Sequence, residues 1–214
     1  AVIPNWADGS QITSIDREDN EFLKAHGLEG RFVVMYSGNF GVAHEIETIL
    51  SLVHETRDLP QLCFCFIGEG AHKQRLVEMA QREKWEHVLV LPYQRKETLQ
   101  QSLSAGDIHL VSLRANMAGL CVPSKIYGIM AVGRPMIFIG PEESEVAALI
   151  RESRCGFVVR PGDPQAAAAA VLACYRDRSL CEQKGQAARE YCGRYGNRTR
   201  ATAQFWQVLQ KVAA

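Results

Sequence analysis

The sequence predicts an α/β protein with a Rossmann-like, doubly wound fold: a six-stranded, mostly parallel sheet with helices on both faces. Three observations predict it. Six short runs are continuously apolar, as in strands buried on both faces of a sheet. Segments with apolar residues at helical spacing separate these runs, and this alternation is typical of parallel strands joined by helices. Glycine or proline closes several runs, at positions 38, 68, 92 and 140.

The elements follow in order. A linker with one short helix near residues 16–25 precedes the first strand. The predicted strands are 31–37, 62–67, 88–91, 108–111, 135–139 and 156–159. The helices between them centre on 46–53, 76–80, 99–103, 124–131 and 146–150. The rest is helical, over 164–175, 180–192 and a last helix with Phe205, Val208, Leu209 and Val212 on one face.

We predict three segments: a linker with its helix at 1–30, a Rossmann-like domain at 31–193, and a C-terminal helix at 194–214. The first residue is Ala1 rather than Met, so we expect a segment that begins within a longer protein.

The bulk composition narrows the function classes. Basic and acidic residues both number 24, so no net charge attracts nucleic acid. No apolar run approaches the roughly 20 residues that cross a bilayer, and the sequence contains no charged leader followed by an apolar stretch and a cleavage site. The seven cysteines include no Cys-x-x-Cys pair and predict free thiols in a reducing cytoplasm.

A parallel sheet binds its ligand where strands end and loops enter helices. The loop after the first strand contains Gly38, Asn39 and Gly41, and its backbone N–H groups at the next helix start suit a phosphate. Its spacing matches neither the dinucleotide nor the Walker fingerprint, and a plain turn is an equal alternative. His44, at the expected helix start, could donate to a phosphate or be a surface histidine. The loop at 68–70 (GEG) is interpreted as a turn.

The stretch around Ser124 and Lys125 is the most informative one. Ser124 suits a helix N-cap. Lys125 falls in the first helical turn, where a cation is disfavoured unless an anion shares the site. A diphosphate held by helix N–H groups and Lys125 would explain this placement, and a solvent-facing lysine is the alternative.

Two further loops carry weaker signals. Tyr93 and Gln94 could contact a flat base, or belong to an ordinary loop. Glu143 and Glu145 suit a helix start because of the helix dipole, and could also accept hydrogen bonds from sugar or ribose hydroxyls. No Asp-x-Asp, zinc-ligand spacing or nucleophile elbow occurs, so no metal site is expected.

Together these segments resemble the C-terminal domain of group 1 (GT4-type) glycosyltransferases, which is one half of a GT-B fold. The resemblance spans nearly the whole chain in order and is closest to enzymes of colanic acid and exopolysaccharide biosynthesis. It rests on residues 2–8 (VIPNWAD), 35–41 (MYSGNFG), 66–70 (FIGEG), 105–110 (AGDIHL), 122–135 (VPSKIYGIMAVGRP) and 153–164 (SRCGFVVRPGDP).

The resemblance implies a retaining, metal-independent transfer of a sugar from a nucleotide diphosphate sugar, most simply a UDP-sugar, to a bacterial polysaccharide or lipid-linked acceptor. No cofactor is implied beyond this substrate. The implied partner is the N-terminal acceptor domain of the same protein, without which this chain would be inactive, and the full-length protein could sit at the inner face of the membrane. The implied donor diphosphate and sugar site comprises Gly38, Asn39, Gly41, His44, Ser124 and Lys125, and the base and ribose site comprises Tyr93, Gln94, Glu143 and Glu145.

The sequence departs from the family pattern at named positions. Many members carry two glutamates separated by seven residues, where this chain has Leu120 and Gly128. Asn39 and His44 stand where many members have Arg and Lys. The roles of the two glutamates therefore cannot be transferred, and Glu143 or Glu145 could replace them.

Two alternatives stay open. A non-hydrolysing UDP-GlcNAc 2-epimerase-like isomerase shares the two-domain fold and needs carboxylates that converge on the sugar from both domains. A non-catalytic Rossmann-like binding module does not need such carboxylates. A nicotinamide dehydrogenase is disfavoured by the missing third glycine.

Overall fold

The computed structural model describes Ile3, Asn5, Trp6, residues 12–196 and residues 198–213. Within these residues lies one six-stranded sheet of order β3-β2-β1-β4-β5-β6, in which every neighbouring pair is parallel. The strands are β1 Phe32–Ser37, β2 Leu62–Ile67, β3 Val88–Leu91, β4 Ile108–Ser112, β5 Met136–Ile139 and β6 Gly156–Val159. The predicted fold class is confirmed, and each strand begins and ends within one residue of its predicted bounds.

Nine α-helices lie in the described part of the chain. They are α1 Glu21–Ala25, α2 Glu47–Glu55, α3 Lys73–Arg82, α4 Leu99–Ala105, α5 Lys125–Ala131, α6 Glu145–Ser153, α7 Pro164–Arg176, α8 Arg178–Tyr195 and α9 Arg198–Ala213. A 3-10 turn at Arg17–Asp19 precedes α1, so the predicted linker helix is two short pieces joined at Asn20.

The core is divided by the sheet, because each continuously apolar strand sends side chains to both faces. On one face, Phe64 and Phe66 pack with residues of α2, α3 and α7. On the other, Val111 and Phe138 pack with α5, α6 and α8, and a smaller cluster joins α1 to β1 and β2. Helices on both faces make the fold doubly wound.

Six of the seven cysteines are buried, and Cys121 is half-buried. All seven are free thiols, and Cys63 and Cys65 are buried residues of β2, as predicted. None of the helices in the described residues is long and apolar enough to span a membrane.

The segment boundaries stay a prediction. Residues 2, 4 and 7–11 of the linker lie outside the described residues, and so does residue 197 between α8 and α9.

Candidate functional site

The order of the strands determines where a ligand can enter. The chain passes from β1 to β2 and β3 toward one edge of the sheet, and from β4 to β5 and β6 toward the other edge. The loops that follow the neighbouring strands β1 and β4 therefore diverge. Such a switch point is the usual binding crevice of a doubly wound sheet. A cavity of about 630 Å³ lies there, between the loop after β1 and the segment that leads into α5.

Six of the ten predicted site residues line this cavity. They are Gly38, Asn39, His44, Tyr93, Ser124 and Lys125. The sequence placed them in three separate loops, and the sheet brings these loops to one edge.

Lys125 is the central feature of the cavity. Its Nζ lies 3.5 Å from the centroid of the Tyr36 ring and has no hydrogen-bond partner, although the atom is buried. Burial lowers the pKa of this ammonium group to about 7. The lysine is therefore not the solvent-facing residue of the alternative interpretation, because its charge is sequestered inside the molecule without a counter-ion.

Gly38 leaves the space that Lys125 occupies. A Cβ atom at this position would lie 3.0 Å from Lys125 Cε and 3.1 Å from its Nζ, and the backbone has a φ of +142°. Only glycine adopts this conformation readily and lets the ammonium group approach the chain so closely. The backbone of the loop and the charge of Lys125 thus face the same small volume.

The second glycine loop supports the first one and does not line the cavity. A Cβ at Gly68 would lie 1.9 Å from the carbonyl oxygen of Gly38, and one at Gly70 would lie 2.6 Å from the carbonyl carbon of Phe40. The Phe40 amide also donates to the Glu69 carbonyl, 2.8 Å away. These glycines allow two loops to pack, which agrees with the interpretation of residues 68–70 as a turn.

His44 faces Lys125 from the loop after β1. Its Nδ1 lies 2.7 Å from the carbonyl oxygen of Ser112, so Nδ1 carries the proton and donates. Burial first, and then the charge of Lys125, lowers the pKa of this imidazole. Neutral His44 therefore presents an unprotonated Nε2, and it can donate to an anion there only after gaining a proton.

The expected helix start at His44 is wrong. The helix α2 begins at Glu47, six residues after Gly41, and the carboxylate of Glu45 accepts hydrogen bonds from both the backbone and the hydroxyl of Thr48. Glu45 therefore occupies one N–H group in the first turn of α2, and a phosphate seat at this helix start stays a prediction.

Two of the predicted residues make contacts within their own loops and do not line the cavity. Gly41 is covered by the Asn39 side chain, whose Nδ2 would lie 3.0 Å from a Cβ at Gly41. Gln94 donates through Nε2 to the carbonyl oxygen of Pro92, 3.1 Å away. Neither residue is among those that line the cavity.

Glu143 and Glu145 also lie outside the lining. Both are exposed at the start of α6, where Ser144 is the N-cap and accepts a hydrogen bond from the Ala147 amide. The helix dipole accounts for their position. Their role at the ribose stays a prediction, with no part of the cavity wall to support it.

Ser124 occupies the N-cap position of α5, but its side chain makes no capping hydrogen bond. The expectation that it caps this helix through its hydroxyl is wrong, because the residue has helical backbone angles there. The hydroxyl is consequently available to a ligand in the cavity.

The family's two glutamate positions differ in their surroundings. Leu120 is 77% exposed and does not line the cavity. Gly128 does line it, and a Cβ there would meet Leu103 Cδ1 at 3.3 Å. A longer side chain at this position would require Leu103 to move.

Part of the wall was missed by the sequence analysis. Asn5 and Trp6 of the linker, Leu99 and Leu103 of α4, and Tyr127 of α5 complete it, with Ile12, Cys121, Val122 and Pro123. The quoted linker motif contains Asn5 and Trp6 and was the available signal for them. The α4 residues carry no such signal, because a leucine facing a cavity looks like any core leucine.

The electrostatics of the wall favour an anion. Of the described residues that line the cavity, none is Asp or Glu, and the cationic group is Lys125. In the part of the chain that is described, no cluster of three or more His, Cys, Asp or Glu side chains could hold a metal ion.

Comparisons with known proteins agree on one family. Residues 31–177 match the sequence model described as "Glycosyl transferases group 1". A protein of Pseudomonas aeruginosa named as a glycosyltransferase, WbjE, is 33% identical over 170 residues, which cover 78% of this chain and 41% of that protein. A protein of Escherichia coli (strain K12) named as a colanic acid biosynthesis glycosyl transferase, WcaI, is 29% identical over 204 residues, which cover 94% of this chain and 49% of that protein.

A solved structure shows the same fold. The crystal structure of Anabaena Alr3699/HepE in complex with UDP-glucose superposes with a TM-score of 0.83 at 16% identity, over 99% of this chain and 57% of that one. The present chain spans about half the length of the curated relatives that it matches.

Proposed function

This chain belongs to the group 1 glycosyltransferases, and on that premise we propose that it is the donor-binding half of a GT-B enzyme that holds a nucleotide diphosphate sugar in the cavity beside Lys125. The observation that carries the proposal is the buried, unpartnered ammonium group of Lys125 at the switch point of the sheet. A diphosphate placed there would supply the missing counter-ion.

The chemistry of transfer follows from this placement. When the bond from the anomeric carbon to the diphosphate breaks, negative charge develops on the departing phosphate oxygen. A fixed cation in a site shielded from water stabilises such charge more strongly than water does. Lys125 would perform this role, and Asn39 and Ser124 would donate hydrogen bonds to phosphate or sugar oxygens.

The finer parts of the proposal rest on family membership. The donor would be a UDP-sugar first of all, and Tyr93, which is 53% exposed beside the cavity, would contact its base. Transfer would retain the anomeric configuration, need no metal ion, and deliver the sugar to a bacterial polysaccharide or lipid-linked acceptor. Relatives of twice this length support an N-terminal acceptor domain, without which the chain would bind donor and transfer nothing. The full-length protein would act in the cytoplasm or at the inner face of the membrane.

The isomerase alternative finds less support. It needs carboxylates from both halves around the sugar, and the described wall of this half contains neither Asp nor Glu. Epimerisation of UDP-GlcNAc by the full-length protein without an acceptor would restore that alternative.

A melting-temperature panel of UDP-, GDP- and dTDP-sugars tests the binding. A ligand at about 100 times its Kd stabilises the folded state by about 2.7 kcal/mol, which raises the melting temperature of a chain of this size by roughly 5–10 °C. We expect one base to give this shift, Lys125→Ala to abolish it, and the control Lys24→Ala, at an exposed lysine paired with Glu21, to keep it.

Two results would contradict the proposal. One is the absence of a shift with every nucleotide sugar, particularly if a protein ligand stabilises the chain, since this outcome favours a non-catalytic binding module. The other is measurable sugar transfer by the purified chain, which would show that it needs no second domain.

A further inference from the structure

A second cavity, of about 420 Å³, lies at the opposite end of the sheet from the donor cavity. Its wall contains Asp107, which precedes β4, and Arg134, which precedes β5. Arg17 from the 3-10 turn and Arg178 from the first turn of α8 complete the charged part, with Glu182. We call it the arginine cavity. No step of the proposed sugar transfer uses these residues.

One buried carboxylate serves two of the arginines. Asp107 is 4% exposed, and its Oδ1 accepts hydrogen bonds from Nη1 of Arg17 at 2.9 Å and Nη1 of Arg178 at 2.6 Å. Its Oδ2 accepts the backbone N–H of Val33 at 2.7 Å. The carboxylate can neutralise one positive charge, so the pair of arginines retains an excess of one.

The third arginine is only partly satisfied. Arg134 donates from Nη2 to the carbonyl oxygen of Ser104 at 2.7 Å, but its buried Nε has no partner. Glu182 is exposed on the same wall, and none of the ion pairs among the described residues includes it. Three guanidinium groups against two carboxylates leave this wall with a net positive charge.

An excess of donors and charge around an open volume is the arrangement that binds a phosphate group. Guanidinium groups present planar forks of N–H donors, and phosphate offers tetrahedrally placed acceptors to more than one fork. A structural ion pair alone would need one arginine for Asp107. It would not place a third guanidinium, with an unpartnered Nε, at the same cavity.

We propose that the arginine cavity is a binding site for a phosphate group, either free inorganic phosphate or the phosphoryl group of a small sugar phosphate, held between Arg17, Arg134 and Arg178. The ligand would connect the linker, the segment before β5 and α8. This site is separate from the donor cavity and does not depend on the proposed glycosyltransferase activity.

The test measures the melting temperature as a function of inorganic phosphate concentration, with chloride added to keep the ionic strength constant. It uses the Lys125→Ala variant, so that binding in the donor cavity does not contribute. A parallel series uses glucose 1-phosphate. We expect a saturable rise that Arg178→Gln weakens by about tenfold in Kd, because a charge-assisted pair of hydrogen bonds is lost. The control Arg75→Gln, at an exposed arginine paired with Glu47, should leave the Kd unchanged.

A second variant covers the case in which Arg178→Gln fails to fold. Glu182→Gln removes a nearby negative charge that makes no ion pair, so it should tighten phosphate binding by about threefold without a loss of stability. Saturation by glucose 1-phosphate alone would identify a sugar phosphate as the ligand, and saturation by both would identify the phosphate group itself. A response to phosphate no larger than that to chloride, or a Kd that neither Arg178→Gln nor Glu182→Gln changes, would overturn the proposal.

Discussion

The ammonium group of Lys125 lies over the face of the Tyr36 ring, 3.5 Å from its centroid, and makes no hydrogen bond to the described residues. A cation–π contact offsets part of the desolvation of a charge. Burial lowers the pKa of this group from the usual 10.5 to about 7. The difference corresponds to a cost on the order of 5 kcal/mol for the charged form. A buried titratable group with such a shift at a crevice is typical of a functional site.

The first prediction concerns the pH dependence of donor binding. A bound diphosphate favours charged Lys125, so its pKa rises on binding and a proton is taken up above pH 7. Affinity should level off below about pH 6, where Lys125 of the free chain is charged, and fall by up to about tenfold per pH unit between pH 7 and 9. The pKa of His44 is lowered from 6.5, and burial raises that of Tyr36 above its usual 10, so neither titrates in this window.

Isothermal titration of the nucleotide sugar at several pH values checks this dependence. The residual binding of Lys125→Met, which keeps the length of the side chain without its charge, should not change between pH 7 and 9. An equal loss of affinity in the native chain and in Lys125→Met would assign the pH effect to another group.

The second prediction separates two properties of Gly38, which are the space it leaves for Lys125 and the positive φ of its backbone. A methyl group at Gly38 would crowd Lys125 and would also strain a backbone with φ of +142°. Gly162 has a φ of +85° and open space around its Cβ position. We expect both Gly38→Ala and Gly162→Ala to destabilise the chain by about 1–3 kcal/mol. Only Gly38→Ala should weaken donor binding, by about tenfold or more, because it displaces the ammonium group.

Urea unfolding and a binding titration on the same two variants give the result. Equal affinities for Gly38→Ala and Gly162→Ala would mean that the loop does not position Lys125 for the ligand.

The sequence analysis identified those site residues whose type is unusual for their position in an element. Lys125, a cation in a first helical turn, is the best example, and its place beside Gly38 follows from the parallel sheet. The packing of Asn39 over Gly41 and the side-chain direction of Gln94 could not be predicted, because contacts within each loop decide them. The burial of the Lys125 Nζ also depends on residues distant in sequence, including Tyr36.

At the scale of elements, the strands were predicted to within one residue because each is a continuous apolar run that loops do not imitate. Burial on both faces explains this run in β2, β4 and β5, whereas the edge strand β3 is half-buried. Helix starts were less certain. The helix α2 begins at Glu47 rather than close to His44, since Glu45 supplies a local cap that competes with an earlier start. The exposed glutamates at the start of α6 could not be assigned a role from the sequence. The helix dipole favours carboxylates at this position, and a ribose site would need carboxylates as well.

The third prediction tests whether the ion pairs of Asp107 stabilise the contacts between β1, the linker and α8 at the amino ends of the strands. Asp107 accepts the Val33 amide and binds Arg17 and Arg178, so it joins β1 to the linker and to α8. Asp107→Asn leaves two guanidinium groups without their carboxylate, and we expect a loss of about 3–5 kcal/mol in the free energy of unfolding.

Denaturant unfolding measures this loss. Glu47→Gln, which breaks an exposed pair with Arg75 at 2.7 Å, is the matched control and should cost less than about 1 kcal/mol. Similar losses for Asp107→Asn and Glu47→Gln would show that the Asp107 cluster does not hold the elements together.

At the scale of the whole molecule, α9 presents an apolar face that the described residues leave largely exposed. Phe205, Trp206, Leu209 and Val212 are all exposed, Trp206 by 63%. Only Phe205 makes an aromatic contact, edge to face with Trp6 at 6.1 Å between ring centroids. Monomeric proteins rarely expose such a continuous patch unless a partner covers it, which agrees with a chain that spans half the length of its relatives.

The fourth prediction follows from this patch. The isolated chain should self-associate as its concentration rises, because contact between two copies removes apolar surface from water. The double variant Trp206→Gln with Leu209→Gln should shift it toward the monomer in sedimentation velocity, while its affinity for the nucleotide sugar stays unchanged, since neither residue lines the donor cavity. The exposed Val42, which lies on a different loop, provides the control Val42→Gln, which removes apolar surface elsewhere and should leave association as it is. If the native chain stays monomeric at every concentration, or if Val42→Gln disrupts association as strongly as the double variant, then the apolar face of α9 is not a contact surface.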